Sequence, residues 1–223
     1  MSSGSSEVSG AVGDLDGGGV EEDAVGRYLA DLASAAPAPG GGSAAALAAA
    51  LGAALVAMTC RVTAKHAGAA PSDAPIGELA EEADGLRRRL TALANDDARV
   101  YSDVIAARRL SVREREPAVQ HALERATEVP QRLAAESRNV LALCERIAPY
   151  ARASTLSDLG VAAILAHGAL RAGALTARTN LAGIAAGDFT GETTRELDAL
   201  LGEGVMLAKR IETALATRGA RAS

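Results

Sequence analysis

The chain has 223 residues, a formal net charge of −5, 48% hydrophobic residues and only 2% aromatic residues. A length of this order suits one domain with a sizeable core. Scattered basic residues and almost no rings for stacking exclude a nucleic-acid binder, which leaves small molecules and proteins as partners.

Residues 1–23 are mostly Gly, Ser and acidic residues with little to bury, so a disordered tail is expected there. They lack the positive start and apolar run of a secretory signal, which predicts a cytoplasmic location. The folded domain is placed at residues 24–217, followed by a short tail at 218–223.

Residues 25–35 form a short amphipathic lead-in with Tyr28, Leu29 and Leu32 on one side. A loop, Pro37-Ala38-Pro39-Gly40-Gly41-Gly42-Ser43, then opens a helix. Ser43 is the expected cap, and Leu47, Leu51, Ala54, Met58 and Val62 recur at helical steps up to about Lys65-His66. Residues 34–60 carry no charge, but two prolines, four glycines and many alanines point to a buried helix and not to a membrane span. A turn is expected over residues 68–72.

Pro75 suits the first turn of a second long helix, with Leu79, Ala83, Leu86, Leu90 and Leu93 as its stripe. Asp97 lies four residues after Leu93 and four before Tyr101, so it projects from that apolar face. After the charged run 108–116, Pro117 is expected to open a third helix, Pro130 to kink or break it, and Pro149 to end it. A fourth helix starts near Thr155 and Leu156, is uncharged from Leu159 to Leu170, and runs to about Ile184. The last helix is expected over residues 194–216, with Leu197, Leu201, Leu207, Ile211 and Leu215 on one face. No stretch alternates as a strand does, so the fold class is all-α: a compact bundle of five to six helices with a buried Ala/Gly-rich helix.

Cys60 and Cys144 lie in apolar stretches without CxxC spacing, and His66, His121 and His167 are far apart, which argues against a metal site. The glycine loop is not a phosphate loop, since no lysine follows it.

In order along the chain stand the glycine loop with Ala44-Ala45-Ala46-Leu47, Leu51-Gly52-Ala53-Ala54-Leu55, Asp97 with Tyr101, Ala126 with Val129-Pro130, Ser157-Asp158-Leu159-Gly160-Val161-Ala162, and Asn180-Leu181. In these motifs the sequence resembles the cyclodeaminase domain of formiminotransferase-cyclodeaminase and its stand-alone bacterial relatives, which include methenyltetrahydrofolate cyclohydrolases. The resemblance covers roughly residues 25–215. It implies an all-helical homodimer acting on the single carbon held between two folate nitrogens. A tetrahydrofolate derivative would be the substrate, with no tightly bound cofactor, no metal, and neither nucleic acid nor membrane as partner.

Either reaction needs a group that removes a proton from the attacking atom and stabilises a cationic substrate. Asp97 and Asp158 are the candidates, with Lys65, one of only two lysines, as donor or charge stabiliser. Gly40, Gly41, Gly42, Ser43, Ser157 and Asn180 are the candidate substrate-binding positions. Plainer readings stand beside these: Ser157 or Asp158 as a helix cap, Asp97 paired with an arginine, Ser43 as a cap alone, and His167 as a core histidine.

The sequence departs from the family pattern at several points. Leu110-Ser111-Val112 stands where a Leu-Pro-Lys turn is usual, only Lys65-His66 remains of a lysine cluster, Ala153-Ser154 replaces asparagines, and Thr176 replaces another. An arginine such as Arg109 or Arg113 is not equivalent to a lost lysine. Two classes of function follow: a folate-dependent one-carbon enzyme, either cyclohydrolase or cyclodeaminase, or a non-catalytic binding or interaction protein on the same scaffold.

Overall fold

A computed structural model describes residues 24–66 and 75–222. The expected tail at 1–23 and the turn at 68–72 lie outside the described residues. The chain divides into two compact units after Pro37. The first contributes one described element, α1 (Ala24–Leu32), which has no buried residue.

The second unit holds α2 (Gly41–His66), α3 (Ile76–Arg108), α4 (Val112–Ile147), α5 (Leu156–Leu181) and α6 (Asp188–Ala222). A short 3-10 turn, Ala153–Thr155, precedes α5. Among the described residues every regular element is helical, as the sequence predicts.

Helix α2 buries Ala46, Ala49, Ala50, Gly52, Ala53 and Ala57, so its neighbours approach a surface of methyl groups and hydrogen atoms. Helix α3 supplies the bulk, with Leu79, Leu86, Leu90 and Leu93 almost completely buried. Helix α4 adds Leu133, Val140, Leu141, Leu143 and Ile147, and α5 adds Leu159 and Leu170. These apolar residues join in one core that α6 closes with Leu197, Leu207 and Ile211.

Three element boundaries differ from those expected. Helix α4 begins at Val112, not Pro117, because Arg and Glu are good helix formers and Ser111 stands before the first turn, its hydroxyl donating to Glu114 at 2.7 Å. Helix α4 also continues through Pro130 without breaking. A proline has no N–H, so the Ala126 carbonyl one turn earlier lacks its helical donor. Asn180 supplies one, its Nδ2 donating to the Ala126 carbonyl at 2.8 Å. Helix α6 starts at Asp188 and extends to Ala222, past the expected limits at both ends.

Cross-helix contacts fix the directions. Ser43 meets Asp97 and Arg61 meets Asp84, so α2 and α3 are antiparallel. Arg89 with Glu136 and Arg125 with Asp103 make α3 and α4 antiparallel. Asn180 with Ala126, and Gly173 against Pro130 and Ala134, do the same for α4 and α5. Helix α5 therefore also runs opposite to α2, and the two touch where Gly52 faces Ala162, Leu165 and Ala166.

Candidate functional site

The start of α2 is built around a carboxylate from another helix. Gly41 is the first residue of α2 and Ser43 the third, so Ser43 is not the cap that its position in the sequence predicts. Its side chain is buried, and its backbone N–H donates to Asp97 Oδ2 at 3.0 Å. Asp97 thus performs from α3 the task an N-cap side chain performs locally.

Gly42 makes the approach possible. A Cβ there would stand 2.1 Å from Asp97 Oδ1, 2.5 Å from Cγ and 2.8 Å from Oδ2, all closer than such atoms pack. Around Gly40 and Gly41 there is open space instead. The three glycines are therefore not equivalent: the third seats a carboxylate, and the first two leave the backbone accessible.

Asp97 is half-buried and enters no ion pair among the described residues, so the plainer reading, a pairing with arginine, finds no partner among them. Burial holds its carboxyl above the usual carboxylate range, and the Ser43 N–H offsets only part of that rise. Such a group is a stronger proton acceptor than an exposed aspartate, and it gains most from a cation placed beside it.

The other candidates lie elsewhere. Asp158 and Ser157 sit within the first turn of α5, after its first residue Leu156, so neither stands at the cap position. Thr155 occupies that position and makes no side-chain cap bond; its hydroxyl donates back to the Arg152 carbonyl at 3.1 Å. Lys65 is exposed on the last turn of α2. Asn180 shares the Asp97 end of the bundle, where its amide completes α4 at Pro130. A proline four residues after a carbonyl is the sequence signal for such a donor.

The catalytic candidates therefore do not gather within one chain. Lys65 lies 22 residues along α2 from Ser43, or about 33 Å at helical rise, and Asp158 lies equally far along α5 from Asn180. Asp97 with the glycine loop forms one half-site; Asp158, Ser157 and Lys65 stand at the opposite end. Residue spacing reveals the faces of helices but not which helix ends meet.

His167 is half-buried and lines a cavity of about 360 Å³ with Gly160, Ile164, Ile211 and Glu212 between α5 and α6. Burial, followed by the nearby Arg171 charge, holds its ring below the ordinary histidine range. Its Nε2 is buried without a hydrogen-bond partner among the described residues, so the ring packs between these helices with one polar atom unsatisfied.

A family model described as formiminotransferase-cyclodeaminase matches residues 24–199. The methenyltetrahydrofolate cyclohydrolase of Methylorubrum extorquens is 36% identical over 190 residues, covering 82% of this chain and 91% of that protein. The formimidoyltransferase-cyclodeaminase of Gallus gallus is 29% identical over 80% of this chain, which spans only 34% of that longer protein. The fold superposes on a crystal structure of formiminotetrahydrofolate cyclodeaminase from Thermotoga maritima with a TM-score of 0.81, at 24% identity, over 89% of this chain and 98% of that one.

Proposed function

The chain belongs to the formiminotransferase-cyclodeaminase family, and on that premise we propose that it is a folate-dependent one-carbon enzyme that hydrolyses methenyltetrahydrofolate. The observation that carries this reading is Asp97: a half-buried carboxylate with a raised proton affinity, locked between Gly42 and the Ser43 N–H, with no ion-pair partner among the described residues. The Methylorubrum extorquens relative, of which this chain covers 91%, is named for this reaction.

In the hydrolysis, water adds to the cationic carbon between two folate nitrogens while Asp97 takes one of its protons. The neutral adduct opens when that proton passes to the leaving nitrogen, the carbon–nitrogen bond breaks, and the adduct hydroxyl releases its proton to solvent. The result is formyltetrahydrofolate and a regenerated carboxylate. Removing charge from a poorly solvated cation beside a carboxylate is where Asp97 lowers the barrier.

Asp158 enters through a second copy of the chain. Helices α2 and α5 present Leu51, Met58, Val161, Ile164 and Leu175 as exposed apolar residues, Ile164 being 73% exposed. Uncovered apolar side chains on two adjoining helices favour burial against an identical face. At the level where α2 and α5 touch, Gly52 is nine residues from Ser43, and Ala166 is nine from Ser157. A twofold axis there would bring the Asp97 end of one copy beside the Asp158 end of the other, about 13 Å from the axis on either side. This homodimer would carry two composite sites, with Lys65 near each, in the cytoplasm as the sequence suggests.

The test follows loss of methenyltetrahydrofolate absorbance against the buffer-catalysed rate. Asp97→Asn and Asp158→Asn should each fold and turn over at least ~100-fold more slowly. Mixed and refolded together, they should regain about a quarter of wild-type activity, because heterodimers contain one intact site. No recovery would assign both aspartates to one chain's site or remove Asp158 from the reaction. Ammonia release from formiminotetrahydrofolate without hydrolysis of the methenyl compound would move the activity to cyclodeamination.

A further inference from the structure

The stripe of α3 that begins as core does not stop where α2 begins. Leu79, Ala83, Leu86, Leu90 and Leu93 are buried along it, Asp97 is half-buried at the start of α2, and Tyr101, one turn beyond, is 46% exposed. Three turns beyond Asp97 stands Arg108, also exposed. At 100° per residue, Tyr101 and Arg108 lie within about 40° and 20° of the Asp97 direction, displaced by about 6 and 16 Å along the axis.

A carboxylate, an aromatic ring and a guanidinium thus follow one another on a single helix face. Two acids close to Arg108 in the sequence are engaged elsewhere: Asp103 pairs with Arg125 at 2.6 Å, and Glu114 accepts from the Ser111 hydroxyl. Tyr101 presents a flat apolar surface in a chain with few rings.

We infer that this face of α3 is the folate-binding ladder, with Asp97 at the cationic one-carbon end, Tyr101 stacking on the p-aminobenzoyl ring, and Arg108 pairing with the glutamate carboxylates. The inference rests on the folate reading above and extends it from the reacting carbon to the whole substrate. A methenyl folate is itself cation, arene and carboxylate in that order, joined by a stiff linker. Guanidinium and carboxylate pair in a planar, two-point geometry, and the ring supplies contact area at little cost in rotamer freedom. Both residues act on binding and not on the chemical step.

The experiment measures calorimetric binding of 5-formyltetrahydrofolate, and of 5-formyltetrahydropteroate as its counterpart without glutamate, to wild type, Tyr101→Phe, Tyr101→Ala and Arg108→Gln. Circular dichroism reports folding. Arg108→Gln should weaken the glutamate-bearing ligand about tenfold and leave the pteroate unchanged. Tyr101→Ala should weaken both about tenfold, with Tyr101→Phe close to wild type. Wild-type binding without turnover of the methenyl compound would refute the hydrolytic reading and leave the ladder standing. Equal losses for both ligands in Arg108→Gln, undiminished affinity in Tyr101→Ala, or no folate binding by wild type would overturn it.

Discussion

Replacing Gly42 by Ala tests the site by a single methyl group. The added carbon would lie 2.1 to 2.8 Å from the Asp97 carboxylate atoms, so the carboxylate must swing away and release the Ser43 N–H. A hydrogen bond to a charged group contributes about 1.5 to 3 kcal/mol, whereas exchanging Gly for Ala within a helix returns at most about 1 kcal/mol. The net loss should be about 1 to 2 kcal/mol, or a fall in Tm of about 2 to 8 °C for a chain of this size. Displacing a proton acceptor should cost much more in rate, about 100-fold or greater in kcat/KM. Thermal unfolding followed by circular dichroism and initial rates on the methenyl substrate measure the two effects. Gly41→Ala is the stability control, since nothing lies within 4 Å of a Cβ there. Wild-type Tm and turnover in Gly42→Ala, or an equal loss of Tm in Gly41→Ala, would refute the seating of Asp97 against Gly42.

Asp97→Asn separates charge from shape, because the amide oxygen can still accept the Ser43 N–H. Asp97 has its folded-state proton affinity raised, so native stability declines as pH climbs from the unfolded carboxylate value through the higher folded one. Urea unfolding at pH 4 and pH 7 should therefore show Asp97→Asn gaining on wild type at the higher pH, while the acidic limb of the rate profile disappears; an unchanged difference between the two pH values would contradict the burial of this charge. Asn180→Leu leaves the Ala126 carbonyl without a donor and should cost about 1 to 3 kcal/mol. In a Pro130→Ala background, where a backbone N–H becomes available, that cost should shrink, and a denaturant double-mutant cycle showing simple additivity would argue against the assigned role. Burial pushes the Cys60 thiol up to about 11 and Cys144 higher still, so a thiol-reactive dye should modify neither at neutral pH until denaturant is added. Rapid labelling of the native protein would contradict the packing of α2 against α4.

Helix α3 is legible because its burial follows the 3.6-residue repeat. Asp97 is legible for the same reason, interrupting that repeat on its inward side. The stripe expected on α2, Leu47, Leu51, Ala54, Met58 and Val62, falls instead on its outer side, and the buried positions there are mostly alanines, whose small side chains carry little apolar signal. The start of α4 is hidden, since residues 111–117 are all exposed and carry a helix without any buried face. The role of Ser43 is misread because its hydroxyl suggests a cap, whereas the capping atom belongs to a residue 54 positions away. Local spacing identifies a polar residue on an apolar face, but the partner it meets depends on how distant helices align. Asp158 and Lys65 illustrate the same limit: each is a plausible participant by sequence, and only the helix directions place them at the far end from Asp97.

The alanines of α2 leave the bundle open to damage in one direction only. Alanine has no side-chain torsion to freeze, so ordering this helix against its neighbours costs almost no rotamer entropy. Its inner face also has little volume left to lose, which makes trimming mutations nearly empty of consequence there. Enlargement is another matter: a single added carbon must be accommodated by moving whole helices, and both ends of α2 feed candidate residues to the proposed site. Drift in this segment is thus confined to residues no larger than those already present, and the spacing of the helices is inherited as a minimum rather than an optimum.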